Sequence, residues 1–289
     1  MIRASGIFAL TVVVGLCQPT AAAGPQPSLK DVLSRLETYL SRYESQLAML
    51  VAEEQYEQWV QPATGGPSTT TRRTLTSDFG FLRLPGRSEW LGLRDTIAVD
   101  GQPVPGRQDG RLARLLSEGM ANTEDLAQRI VDENARYNLG VVERTINVPM
   151  VALDFLSRRN RWRLAFRKRS EEQVNGRTIW AVTFSERERP TLVKTPQGRD
   201  RPARGTLLID PQDGSVLRTD LEFDAGNGGD APATTITVLY RPDETLGLLV
   251  PYEMREAYRK QRGAPEEMGA LANYTNFRQF QTSARIIPR

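Results

Sequence analysis

Any chemistry in this chain has to be done without histidine, and its one cysteine, Cys17, lies inside an apolar run near the N-terminus. Ser-His-Asp and Cys-His nucleophilic catalysis are therefore excluded for the mature chain expected below. There is no GxxxxGK[ST] phosphate loop, no GxGxxG after a strand, and no CxxC or HExxH pattern. Carboxylates remain, and a pair of them can work as general acid and base, as in glycosidases. The candidates are Asp78, Asp95, Glu133, Glu143 and Asp154. No spacing pairs any two of them, and solvated surface charge is the plainer account. The residues point to no catalytic group, no metal ligand and no cofactor.

Two acidic groups invite a cation. Asp210 and Asp213 precede Gly214, but the alternating ligands and distal Glu of a calcium loop are missing, and a hairpin turn explains them. Asp220, Glu222 and Asp224 share one strand face opposite Leu221 and Phe223, as a solvated face would. The basic stretch 161–169 and the Arg- and Lys-bearing loop 185–203 could meet an anionic membrane surface or an acidic partner. Glu171, Glu172, Glu186 and Glu188 lie close by and dilute that charge. The best binding candidates are aromatic: Trp162, Phe166, Trp180, Phe184, Phe223 and Tyr240. At matching strand parity they converge on one surface, which is either a filled core or the wall of an apolar cavity.

Those side chains need a scaffold, and the spacing of apolar residues supplies one. Ser28 caps a helix with Asp31 in its first turn, and Leu33, Leu36, Leu40, Tyr43, Leu47 and Leu50 form a stripe along it. Strands are expected at 53–61, about 71–84 and 89–100, with a loop at 62–70 and turns at Pro85-Gly86 and Asp100-Gly101. Residues 107–157 read as a helical insertion. It holds a short helix around Leu112, Leu115 and Leu116, and a second capped by Thr123 with Leu126, Ile130 and Tyr137 inside and a stop at Gly140. A third is opened by Pro149. From Arg161 the pattern is β. Strands at 161–169, 180–184, 207–209, 217–223, 236–240, 247–259 and 270–286 are punctuated by Asn175-Gly176 and by the Asp210–Gly214 turn. The fold class is α+β. About ten strands form a single twisted antiparallel sheet, with an N-terminal helix and inserted helices on its concave face.

The first residues set a compartment. Arg3 precedes the apolar run 7–16, and Ala21-Ala22-Ala23 follows, the order of a secretory signal peptide too short to span a bilayer. Cleavage after Ala23 is expected, leaving 24–289 as a single periplasmic or secreted domain without cysteine. Lipid anchoring at Cys17 is not expected, because Leu16 rather than a small residue precedes it. With 39% hydrophobic and 25% charged residues the composition is that of a globular protein, and a net charge of +3 is too small to argue for nucleic acid.

Four segments carry a family likeness: VNGRTIWAVTF (174–184), GTLLIDPQDGSVLRTDLEF (205–223), LLVPYEMRE (248–256) and NYTNFRQF (273–280). Together with the exported N-terminal helix they resemble the periplasmic lipoprotein-sorting carriers (LolA-like) and the related lipoprotein-binding sigma-factor regulators. The resemblance implies an unclosed half-barrel whose aromatic concave face binds a lipid or lipoprotein acyl chain without catalysis. It transfers no individual ligand-contact residue, and the insertion at 107–157 is larger than a minimal carrier needs. Two further readings stand beside it. One is an envelope sensor or assembly module working through the basic face or a sheet edge; the other is a carboxylate-only hydrolase.

Overall fold

Alternation of apolar and polar residues makes a strand half-buried, and the described residues form eleven strands, several of which alternate in this way. The structure, a computed structural model, describes residues 26–47, 50–62, 69–82, 90–107, 123–140, 144, 146–225, 231–259 and 266–279. The leader 1–23 with Cys17, the helix around Leu112–Leu116, the Pro85-Gly86 turn and Glu143 lie outside the described residues, as do the side chains of Leu47 and Leu126. None of the described helices is long and apolar enough to cross a membrane.

The strands are β1 (Leu50–Pro62), β2 (Thr71–Leu82), β3 (Leu91–Val99), β4 (Gln102–Pro103), β5 (Leu164–Val174), β6 (Arg177–Glu186), β7 (Ala203–Ile209), β8 (Val216–Phe223), β9 (Ala233–Asp243), β10 (Leu248–Arg259) and β11 (Glu266–Gln279). All pairs are antiparallel, in the order β4-β3-β2-β1-β11-β10-β9-β8-β7-β6-β5. β4 and β5 are the edges and do not meet, so the sheet is an unclosed half-barrel. The long-range step is β1 onto β11, which joins the chain's beginning to its end through pairs such as Tyr56 with Ala272. Bulges near Lys168, Leu208 and Pro251 bend the strands locally.

Helix α1 (Leu29–Leu47) starts as its residues dictate: the Ser28 hydroxyl accepts from the Asp31 amide at 3.2 Å, and Asp31 Oδ2 accepts from the Ser28 amide at 3.0 Å. The Ser28 hydroxyl also donates to Asp31 Oδ2 at 2.7 Å, and that bond, together with the one from the Ser28 amide, holds the Asp31 carboxyl below its ordinary pKa. Val32, Leu36, Tyr39, Leu40 and Tyr43 are buried against the sheet's inner face. Helix α2 (Thr123–Ala135) lies over β3, where the Asn134 amide caps Gly92 O at 2.5 Å and accepts from the Arg94 amide at 2.7 Å. Helix α3 (Val151–Leu156) sets the Phe155 ring 6.2 Å from that of Phe223.

Several boundaries differ from the expected ones. Leu50, placed on the helical stripe, opens β1, because burial at Leu50, Ala52, Glu54, Tyr56, Gln58 and Val60 follows a period of two from there. Helix α2 ends at Ala135, five residues before Gly140. The expected strand at 161–169 starts only at Leu164, after a single 3-10 turn at Arg161–Arg163. The C-terminal strand runs over 266–279, earlier than expected, and residues past 279 lie outside the described ones.

Candidate functional site

The inner face of the half-barrel has two chemically different halves. Under α1 and α3 it is apolar: Trp180, Val182 and Phe184 on β6, Leu207 and Ile209 on β7, Leu221 and Phe223 on β8, and Ile236, Val238 and Tyr240 on β9 are all buried in one core. Under α2 and the segment that follows it the face also buries polar and charged groups among its apolar ones. Glu54, Gln58, Ser77, Arg94, Arg144, Asn147 and Glu256 are each at most 2% exposed. Arg94 and Glu54 form a two-pronged ion pair, with Nη2 to Oε1 at 2.8 Å, and the guanidinium lies 4.1 Å from the centre of the Tyr56 ring. The Tyr56 hydroxyl donates to Glu256 at 2.9 Å and accepts from Arg144 at 3.0 Å. Tyr258 donates to the other oxygen of Glu256 at 2.5 Å. Two carboxylates are thus matched by two guanidinium groups, as buried charge requires. Burial pushes the Tyr56, Tyr258 and Tyr274 hydroxyls well above the ordinary tyrosine pKa.

This polar half was absent from the candidate residues, though strand parity could have found it. Once Tyr56 faces inward, the period of two forces Glu54 and Gln58 inward as well. Of the five candidate carboxylates, Asp78 and Asp95 are brought together as cross-strand partners on β2 and β3. Arg107 spans them, at 3.9 and 3.0 Å, and Arg278 holds Asp78 at 2.7 Å, so the pair is neutralised. Asp154 bonds Arg159 at 2.9 Å, well away from them. The Asp210–Gly214 segment is a turn: Asp210 and Asp213 accept from the amides of Gln212 and Ser215, each at 2.8 Å.

The basic face is largely paired. Arg161 reaches Leu33 O at 2.6 Å and Glu37 at 2.5 Å, Arg163 reaches Glu186 at 3.4 Å, Lys168 pairs with Glu171, and Lys194 and Arg189 reach Asp200 at 2.5 and 3.7 Å.

The six aromatic candidates separate. Trp180, Phe184, Phe223 and Tyr240 share the inner face and are buried, with Phe166 packed partly buried against Phe184 at 6.5 Å. Trp162 does not join them. It stands in the turn before β5, 65% exposed, with Nε1 bonded to Arg159 O at 2.7 Å. The reason is local: three residues of 3-10 geometry break the two-residue period that the sequence appeared to continue.

Open space lies at one end of the sheet instead. A cleft of 1080 Å³ opens where the β5–β6, β7–β8 and β9–β10 turns meet the second half of α1. Tyr39, Tyr43 and Tyr240 line it from the inner face, and Ile179, Leu208, Leu217, Leu239, Leu248 and Leu249 continue it. Leu239 and Tyr240 are neighbours on β9 and so point to opposite faces, which means that the cleft wraps round the sheet's end. Tyr240 is held by a bond to Pro149 O at 3.0 Å. α1 is seated here by Gly214: with φ +77° and the Arg35 backbone 2.3 Å from where a Cβ would stand, only glycine allows the approach. Of the six aromatic candidates, only Tyr240 lines this cleft.

No protein-family profile matches the chain, and no curated protein matches it significantly. Among solved structures it is similar to a domain from Vibrio parahaemolyticus described as an outer membrane lipoprotein-sorting protein. That match is at 11% identity, covers 87% of this chain and 95% of that one, and has a TM-score of 0.40. It is also similar to a DUF1329 family protein from Desulfovibrio piger, at 10% identity over 87% and 92% of the two chains, with a TM-score of 0.39. A third similarity is to the MucA/MucB complex of Pseudomonas aeruginosa, at 8% identity over 86% and 99%, with a TM-score of 0.20.

Proposed function

We propose that the chain is an exported, non-enzymatic binding protein that takes up an apolar chain, such as the acyl chain of a lipid or lipoprotein, in the cleft at the open end of the half-barrel. In this reading residues 1–23 are a leader and 24–289 the single working domain. The observation that carries it is the cleft itself. At 1080 Å³ it is just above the usual range of ligand-site volumes, roughly 300–1,000 Å³, and five half-buried leucines surround its tyrosine floor. Tyr240 is the ligand contact among the aromatic candidates. Trp180, Phe184 and Phe223 serve as the packed support behind it.

The mature protein, purified from the periplasm, is analysed by native mass spectrometry before and after incubation with monopalmitoylglycerol, an uncharged single-chain lipid. A one-to-one adduct that is lost when Leu217→Glu and Leu239→Glu are combined supports the reading. Absence of any adduct, in the purified material and after incubation, overturns it.

A further inference from the structure

Resting on that reading, we infer that the ligand is a single-chain amphiphile with an anionic head, its carboxylate or phosphate held at the cleft mouth by Arg42 of α1 and Arg241 of β9. The cleft's charged lining is uneven: four arginines face Asp213, Asp243 and Glu244. Two of those arginines are already engaged. Arg177 pairs with Asp210 at 2.6 Å and with Asp213 at 3.5 Å, and Arg218 pairs with Asp220 at 2.8 Å. Arg42 and Arg241 make no ion pair among the described residues, and Arg241 only approaches the Tyr252 ring, at 5.5 Å.

Among the described residues, none of the acids at the mouth forms an ion pair with Arg42 or Arg241. Asp213 is occupied by Arg177 and by the Ser215 amide, and Asp243 accepts from the Thr245 and Leu246 amides at 3.0 Å each. Glu244 is exposed at the turn. A second feature, independent of charge, lies deeper. Tyr43 lines the cleft, is 2% exposed, and its hydroxyl has no hydrogen-bond partner among the described residues. A buried hydroxyl without a partner is costly, and a small shift of the cleft floor would let an ester or carboxyl oxygen next to the head satisfy it. Guanidinium groups recognise carboxylate and phosphate alike through paired N–H donors, so the two head chemistries are equivalent here. The apolar walls then account for the chain and the unpaired arginines for the head.

The test measures dissociation constants for palmitate, lysophosphatidic acid, monopalmitoylglycerol and hexadecyltrimethylammonium on the mature protein at 50 mM and 500 mM salt. The expected result is an anionic preference of about three- to tenfold over the neutral lipid at low salt, the size two exposed charge contacts allow, shrinking at high salt. Arg42→Gln combined with Arg241→Gln removes that preference while neutral binding stays within twofold. Tyr43→Phe weakens every ligand with an oxygen near the head and leaves hexadecyltrimethylammonium unchanged. Equal affinity for anionic and neutral lipids, or a preference that survives the double substitution, overturns the assignment and leaves the acyl-chain reading intact. Displacement of palmitate by inorganic phosphate alone, at the same concentration, overturns the amphiphile. Failure of all four lipids to bind is the separate failure of the acyl-chain reading.

Discussion

Glu54 on β1 and Arg94 on β3 reach across the intervening strand β2 to form a two-pronged ion pair in which neither residue is more than 1% exposed. The guanidinium is also sandwiched by aromatic rings, 4.1 Å from the centre of Tyr56 and 5.5 Å from that of Phe79. Its neighbours Glu256 and Arg144 repeat the same charge balance one layer on. One half of the inner face therefore combines buried charge with apolar packing, and the other half is held by apolar packing.

Breaking that pair on one side leaves a buried charge without its partner. Glu54→Gln and Arg94→Met should each lower unfolding free energy by about 3–5 kcal/mol. The double variant Glu54→Leu/Arg94→Met removes both charges and should be less destabilised than either single change. Urea unfolding followed by circular dichroism measures all three, and additive losses would sink the argument.

Six of the eight tyrosines, Tyr39, Tyr43, Tyr56, Tyr240, Tyr258 and Tyr274, have hydroxyl pKa values raised by burial. A raised folded pKa gives stability that is complete below the unfolded value, about 10, and is lost as pH rises beyond it. Alkaline titration should show most tyrosinate absorbance appearing together with loss of secondary structure above pH ~10. Smooth ionisation of these six with the fold intact would contradict the burial argument.

Gln58 ties the segment after α2 to the sheet: its Oε1 accepts from the Leu139 amide at 2.9 Å and its Nε2 donates to Tyr137 O at 3.2 Å. Gln58→Leu leaves both backbone groups without those bonds, at about 1–3 kcal/mol. Hydrogen exchange at Leu139 should accelerate at least tenfold while α1 amides keep their protection.

Gly214→Ala forces a Cβ to within 2.3 Å of the α1 backbone at a positive φ. Gly101→Ala, at φ +76° with nothing within 4 Å, carries the backbone cost alone, about 1 kcal/mol. The Gly214 variant should melt at a clearly lower temperature than the Gly101 variant and should increase hydrogen exchange in α1. Equal melting temperatures would show that α1 is not seated on this turn.

Trp162 and Trp180 differ in exposure, 65% against 3%. Trp162→Ala should remove most of the acrylamide-quenchable fluorescence and change stability by under about 0.5 kcal/mol. Trp180→Ala should cost about 3–5 kcal/mol through the cavity it leaves in the core.

Much of the scaffold was legible because local rules act over a few residues. The Ser28–Asp31 cap, the stripe from Leu36 to Tyr43, the Asn175-Gly176 hairpin and the Asp210–Gly214 turn depend on capping geometry, helical period and turn chemistry. All of these are written in adjacent positions. The alternation on β6, β8 and β9 likewise placed Trp180, Phe184, Phe223 and Tyr240 on one face. Trp162 was misplaced because a single 3-10 turn, invisible in an alternating pattern, reverses parity before β5.

Partners distant in the chain were beyond such rules. Tyr56 meets Glu256 only because β11 pairs with both β1 and β10, and Glu54 meets Arg94 only across β2, so the hydrogen bond and the ion pair alike depend on strand order and register. The same holds for the cleft. Tyr43, Leu217, Leu239 and Arg241 come from α1, β8 and β9, and they surround one space because alternate hairpins end together and Gly214 lets the helix approach. The chain's local spacing therefore specified which elements form and which faces are apolar. Long-range pairing, whose energy is collected only once distant strands are side by side, selected the charges that match and left the space open at the sheet's end.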